Sequence, residues 1–441
     1  MTPPEVRPAI RNGVLLCAAA VFLWLAHDGI TSGFFPDEMM NLYGYWQNGW
    51  RGWLSVAEGF RPAGALFYLP LFEVFGLNPL PGRIVCFVLL VCNAGLLYQL
   101  TRAWTGSAET AVYAVVLGGY HAYFTDLYHS SATIYDLLAY AFCFGALLYY
   151  SRCEQMGPRQ WAVWFVLWLA ALGSKELAVV LPAVTLVYEL TRRRDRRRIL
   201  VLLCAGVLVA LVYLYPKLSG GQGMLGNRAY AVNSSVVLER LAMYGGYLFY
   251  KGQPLSNRQL LVAAGALAAL LLATRSRPML AALGLAGLFA APVLVIDPRS
   301  YYAMYLAHSG LAMVAAIAIH QASRRLRPNL AVPSVSVVLL LALTPQHLRL
   351  RPHADVWMQN SAGWVDTTVR QFQKQVPKLP KGARVLFLDD PLPADDYFLT
   401  FTLRLLYRDK DLQVDRAQYG PVEGTHDLTV RYAGWRLVVV P

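Results

Sequence analysis

Long apolar stretches alternate with short polar connections along most of this chain. They fall near residues 13–30, 84–100, 109–124, 132–150, 160–173, 177–190, 199–215, 259–273, 279–296, 301–320 and 330–344. A bilayer core takes about 20 residues of helix, so the stretches nearer 15 predict short or broken helices. The pattern predicts an all-α polytopic membrane protein with about 11 transmembrane helices. Beyond residue 345 the periodicity becomes mixed. It is helical at "WVDTTVRQFQKQV" and "DDYFLTFTLRLLYRD", and extended at "ARVLFLD", "LQVDR" and "WRLVVVP". A transmembrane module over 1–345 followed by a small α/β domain over 346–441 is expected.

Composition agrees with lipid as the solvent. Hydrophobic residues make up 56% of the 441 and charged ones 15%, where a soluble chain carries about a quarter charged. The 39 Lys and Arg against 26 Asp and Glu do not form a nucleic-acid-binding stripe. They sit in short runs between apolar stretches, such as "TRRRDRRR" (191–198) and "SRRLR" (323–327), as cytoplasmic topology signals do. With the amino terminus inside, loops 31–83 and 216–258 and the C-terminal domain lie outside. The second loop contains "SSVVLERLAMYGGYLFY", a Ser cap and an amphipathic run that predict an interfacial helix. The first apolar run is longer than a signal-peptide core and lacks a small-residue cleavage site, so it is expected to be retained. The six cysteines form no CxxC or Cys/His cluster, and no Walker, GxGxxG or HExxH motif occurs.

Candidate chemistry gathers on the expected outer side. "FFPDEMMNLYGYWQNGW" (34–50) presents Asp37 and Glu38 among aromatics directly after the first span. Tyr43, Tyr45 and Trp46 suit sugar stacking or headgroup anchoring. Asp126 lies in the short connection "FTDLYHSS", and Asp136 about a turn inside the following helix, where an ionisable group is costly and by default functional. Lys175-Glu176 forms one outer turn and Arg299 stands in another. Cations isolated in such short outer connections suit an anion such as a lipid-linked phosphate, with Arg61 a third candidate and Arg51 a solvated one. His27, Asp28, His121 and His129 match no metal-ligand spacing. Asp37, Glu38 and Asp126 can hold a hard cation, Mg²⁺ or Mn²⁺, if phosphate oxygens complete the shell.

In order and sidedness these stretches resemble the GT-C superfamily of polyprenyl-phosphate-sugar-dependent glycosyltransferases. They are similar to protein O-mannosyltransferases and the lipid A aminoarabinose transferases. The matching parts are "PDE" (36–38), "FRPAGALFYLPLFEVFGLNPLPGRIV" (60–85), "HAYFTDLYHSSATIYDLL" (121–138), "GSKELAVVLP" (173–182) and "DPRSYYAMYLAHSG" (297–310). The resemblance covers roughly residues 14–320 and is strongest to about 190. It implies an inverting membrane glycosyltransferase that moves a sugar from a polyprenyl-phosphate donor to a protein or glycolipid acceptor. The setting implied is the outer face of a bacterial inner membrane. It implies Asp37, Glu38 and Asp126 as catalytic, and Arg61, Asp136, Lys175, Glu176, Arg299 and Tyr302 as substrate-binding. The acidic pair is Asp-Glu, not the Asp-x-Asp of oligosaccharyltransferases, so a metal is not required by the pattern. A non-catalytic subunit of a membrane complex is the alternative. A transporter would call for a repeated half and mid-bilayer charges, neither of which is evident.

Overall fold

Apolar side chains cover the outside of the helical part as densely as they fill its inside. In the computed structural model, which describes residues 6–49, 61–192, 194–209, 211–212, 233–392, 397–434 and 436–440, Leu16, Val88, Leu203, Leu272 and Leu341 are all exposed. Such a surface is stable only against lipid. The chain is an integral membrane protein, mostly helical.

Each of the eleven apolar stretches contains a helix. We number them α1 (Pro8–Ala26), α4 (Leu80–Thr105), α5 (Ala108–Gly118), α7 (Ile134–Arg152), α8 (Pro158–Leu172), α9 (Leu181–Arg192), α10 (Arg196–Val209), α12 (Asn257–Thr274), α13 (Arg277–Leu294), α14 (Tyr305–Ser323) and α15 (Pro328–Gln375). Between them lie α2 (Pro36–Asn48), α3 (Pro62–Phe75), α6 (Thr125–His129) and α11 (Val237–Leu248). Seven of the described helices are long and apolar enough to cross a membrane. The other four expected spans, α5, α8, α9 and α10, have 11 to 15 residues, so length and composition support seven spans of the eleven. Helix α5 shows how a short one is accommodated: Ala111, Val112, Tyr113 and Ala114 are wholly buried, because protein surrounds it on all sides. Helix α12 is the opposite case, with no buried residue. Close packing in the core relies on small residues. A side chain at Gly310 of α14 would collide with the backbone of Ala282 and Ala286 on α13.

The two long polar connections contain helices among their described residues. Loop 31–83 contains α2 and α3, each opened by a proline at its first turn, where the missing N–H costs nothing. In the second loop α11 forms as expected, but its entry is capped by the Asn233 side chain on Ser235 N, not by serine. Residues 216–232 of that loop, and Trp50 and Arg51 of the first, lie outside the described residues.

The last apolar stretch and the "WVDTTVRQFQKQV" helix are one 48-residue helix, α15. It leads into β1 (Arg384–Phe387), α16 (Phe398–Tyr407), β2 (Gln413–Arg416), β3 (Leu428–Ala433) and β4 (Arg436–Val440). The sheet order is β2-β1-β3-β4, with β1 parallel to both neighbours and β3–β4 antiparallel. Strand β3 was not expected, yet it is central. It carries Val430 and Tyr432 to the core, where Tyr432 shares a hydrogen bond of 2.8 Å with Thr368 of α15.

Candidate functional site

Helix α2 begins at Pro36, so Asp37 and Glu38 occupy successive positions of its first turn and point about 100° apart. They meet different fates. Glu38, the third residue of the helix, reaches back to accept from Phe35 N at 2.7 Å. It is also clasped by Arg83, with Nη2 donating to Oε2 at 2.9 Å, and by the Ser131 hydroxyl at 2.6 Å. Arg83 donates further to the Gly33 carbonyl at 2.6 Å. Both ionic side chains are buried, at 0% and 1% exposure. Glu38 was expected beside Asp37 in the site. It is instead a structural anion that welds α2 to α4 and to the turn after α6.

Asp37 faces the other way, into a cavity of about 610 Å³. Asp126, Asp136, Arg61, Lys175, Glu176, Arg299 and Tyr302 line the same cavity. Eight of the nine nominated residues therefore converge from α2, α3, α6, α7, the 175–176 turn and the segment before α14.

The cations arrive already accompanied. Lys175 Nζ donates to Asp136 Oδ1 and lies 5.1 Å from the centre of the Tyr302 ring. Arg61 forks onto Glu176 through Nε–Oε1 at 3.2 Å and Nη2–Oε2 at 2.8 Å. Its guanidinium also lies 4.9 Å over the Tyr135 ring. The isolated cations of the sequence thus have internal counter-charges, a pairing that no spacing reveals because the partners come from different helices. Tyr135 itself shares a hydrogen bond of 2.9 Å with Tyr45, whose hydroxyl donates to the Arg61 carbonyl. Gly64 makes this possible, since a side chain there would collide with both tyrosine rings. Tyr244 of α11 grips the Arg299 backbone from both sides, accepting from its N–H at 3.1 Å and donating to its carbonyl at 3.0 Å.

The side chains of Asp37 and Asp126 make no hydrogen bond or ion pair to another residue among those described; the Asp126 carboxylate accepts from its own backbone N–H. Burial raises the proton affinity of Asp37; the Glu38 charge adds to this and Arg299 opposes it. Burial, with the Asp136 and Asp37 charges behind it, pushes Asp126 up to about 6. Both carboxylates thus hold a proton more readily than a free one would, and are candidates for proton transfer. With Glu38 bound to Arg83, the three-carboxylate cation set is not assembled. Among the described residues no three His, Cys, Asp or Glu side chains come together to hold a metal.

Other nominated groups lie elsewhere. Tyr43 and Trp46 face α16, Tyr43 stacking on Phe401 at 4.6 Å and Trp46 lying 5.1 Å from Lys410 Nζ. They are an interface with the C-terminal unit, not a sugar platform. His27 pairs with Asp28, His129 bonds Ser32, and His121 packs with His308 and His347.

Comparison with known proteins bears on this arrangement. The model of the dolichyl-phosphate-mannose-protein mannosyltransferase family matches residues 61–219. None of the curated proteins matches the chain. Among solved structures, ArnT from Cupriavidus metallidurans bound to undecaprenyl phosphate is similar at a TM-score of 0.60 and 17% identity, over 97% of each chain. Its apo form gives 0.54 at 17% identity, over 96% of this chain and 93% of that one. The Archaeoglobus fulgidus oligosaccharyltransferase, in complex with Zn and sulfate, gives 0.51 at 13% identity, over 91% of this chain and 62% of that one. The resemblance to the GT-C glycosyltransferase superfamily therefore holds, in fold over nearly the whole chain and in family pattern over residues 61–219.

Proposed function

We propose that this protein is a membrane glycosyltransferase that takes a sugar from a polyprenyl-phosphate donor and passes it, with inversion, to a protein or glycolipid acceptor. The reading places the cavity on the outer, periplasmic face of a bacterial inner membrane. It rests above all on one observation: Asp37, a half-shielded carboxylate without a partner among the described residues, shares a cavity with Arg299, Lys175 and Arg61. The similarity to an ArnT solved with undecaprenyl phosphate, and to the mannosyltransferase family pattern, supports it.

The chemistry follows from that arrangement. The acceptor's nucleophilic group gives its proton to Asp37 as it forms the new bond to the anomeric carbon. On the opposite face the bond from that carbon to the phosphate oxygen breaks, and the electron pair leaves with the phosphate. A phosphate leaving group needs little protonation, so one base suffices, unlike the carboxyl pair of glycosidases. Arg299, Lys175 and Arg61 oppose the negative charge that grows on the departing phosphate. Asp126 keeps the cavity anionic on the acceptor's side of the exchange. Of the three carboxylates expected to hold a divalent cation such as Mg²⁺ or Mn²⁺, only Asp37 and Asp126 line the cavity, and phosphate oxygens would need to complete the shell.

The test is transfer of labelled sugar from a lipid-phosphate donor by purified protein. Arg299→Ala should raise the donor KM by about ten-fold or more, because a charge-assisted contact is lost. Unchanged donor binding in that variant counts against the pocket, and no transfer by wild type with any donor favours the non-catalytic alternative. Tags at residue 195 and at the carboxyl terminus, probed in sealed cells, test the orientation: both on one side refutes it.

A further inference from the structure

The two open carboxylates of the cavity sit near the starts of short elements. Asp126 is the second residue of α6, a turn of five residues, and Asp37 the second of α2. Besides the Glu38–Arg83 pair that ties down α2, each element has a support from the chain beyond residue 345. Asp355, on the distal half of α15, is buried and grips α6 at both ends. It accepts from the Thr125 hydroxyl, and its Oδ1 lies 3.6 Å from His129 Nε2. Its other oxygen is held by Arg351 Nε at 3.0 Å, and Arg351 in turn donates to Asp28 at the end of the first span. His129 is fixed on its far side by the Ser32 hydroxyl at 2.8 Å. A turn further along α15, Met358 and Ala362 bury Phe35, the residue before α2. From the sheet side, Arg404 of α16 donates to the Tyr43 hydroxyl at 2.5 Å, and Lys410 Nζ to the Gln47 carbonyl at 3.2 Å, both on α2.

We propose that the chain beyond residue 345 is the positioning frame of the cavity's carboxylates, Asp355 fixing Asp126 through Thr125 and His129, and Arg404 fixing the helix of Asp37 through Tyr43. Neither Asp355 nor Arg404 lines the cavity, so both act through another residue. The consequence for turnover rests on the glycosyl-transfer reading above, whereas the consequence for geometry does not. A misplacement of about 1 Å in a reacting group can cost about 10²-fold in rate.

Two measurements on the full-length protein in nanodiscs decide it. The first reads geometry alone. Asp126→Cys is alkylated with a charged, membrane-impermeant thiol reagent, and modification is followed peptide by peptide so that the native cysteines do not interfere. Adding Asp355→Ala should change the rate at position 126 by about ten-fold as the turn is released. The rate at Asn41→Cys, in the same cavity but on α2, should stay within about two-fold. Equal rates at position 126 with and without Asp355 overturn the frame.

The second measurement reads turnover. Asp355→Ala should lower kcat by up to about ten-fold, no more than loss of the Asp126 carboxylate itself, with the donor KM within about two-fold. In an Asp126→Asn background it should cost less than about two-fold, since its effect passes through that carboxylate, while Arg404→Ala keeps its full effect there. Thr125→Val, which breaks the same bond and leaves Asp355 paired with Arg351, should give a smaller loss in kcat that does not add to that of Asp355→Ala. Equal losses from Asp355→Ala in both backgrounds, or a loss expressed wholly in KM, refute the proposal. A wild-type protein that transfers no sugar refutes the donor reading and leaves the alkylation rates to judge the frame.

Discussion

Charge is distributed in two ways around the one cavity. Around Lys175 and Glu176 it is paired: Lys175 with Asp136, Arg61 with Glu176. Around Asp37 and Asp126 it is left open, two carboxylates facing the same space with their proton affinity raised by burial. Paired charges hold shape and attract an incoming ion only by the excess over their partners. Open carboxylates hold no shape and stay available to a proton. Under the proposed glycosyl-transfer reading, the contrast suits the first group to anchoring and the second to proton transfer. It also separates Asp37 from Glu38, which are neighbours in sequence but fall on opposite sides of that division.

The sharpest break in the comparison is Asp37→Asn. It keeps size and hydrogen bonding but cannot accept a proton, so transfer should fall by about 10²–10⁴-fold. The melting temperature in detergent should hardly move, because the side chain bonds nothing that the fold needs. Equal transfer rates would remove Asp37 from the chemistry. Arg83→Ala inverts that pattern. It strands the buried Glu38 carboxylate and should lower stability by about 3–5 kcal/mol, read as a marked fall in melting temperature; an unshifted melt would show that the pair is not structural.

Asp126→Asn should act mainly through pH. Transfer requires ionised Asp37, so activity rises with pH as that proton is lost, at a value above the usual carboxylate range. As pH climbs through about 6 Asp126 becomes negative, and its charge opposes the ionisation of Asp37. Removing it should move the acid limb of kcat/KM to lower pH, with a loss in rate of about ten-fold; a limb that stays put uncouples the two groups. The smallest effect, and the one that tests the paired side, is Asp136→Asn. Freed of its counter-charge, Lys175 should bind a polyprenyl phosphate about five-fold more tightly, an effect of about 1 kcal/mol. Weaker binding would mean that Asp136 orients the lysine more than it neutralises it.

Much of the site was legible because charged residues in short connections between apolar spans have few places to go. Asp126, Lys175 and Arg299 fall in connections expected on one side, and they line one cavity. Rotation about α2 was harder, since adjacent residues diverge by about 100° and only the helix start decides which one turns inward. Pro36 at the first position and an acid at the third carried that information as a capping arrangement. The ion partners were not legible, because Asp136 and Lys175 belong to separate elements 39 residues apart. Tyr43 and Trp46 read as sugar or headgroup aromatics because nothing in loop 31–83 announces that α16 will cover them. Strand β3 does alternate, with Val430 and Tyr432 inward, but its six-residue pattern among Asp427, Arg431 and Gly434 is easily taken for a turn.

Helix α15 couples these regions by rotation. Asp355 addresses α6, Met358 and Ala362 address Phe35, and Thr368 addresses Tyr432, so one rod sets several contacts by its phase. Each residue inserted between the membrane and Asp355 would lift everything beyond it by about 1.5 Å and swing it by about 100°. No single contact could be restored without spoiling another. A whole-turn insertion would restore the phase but would still carry every contact beyond it about 5.4 Å along the axis. The membrane anchor and the sheet are thus geared to each other through the register of α15.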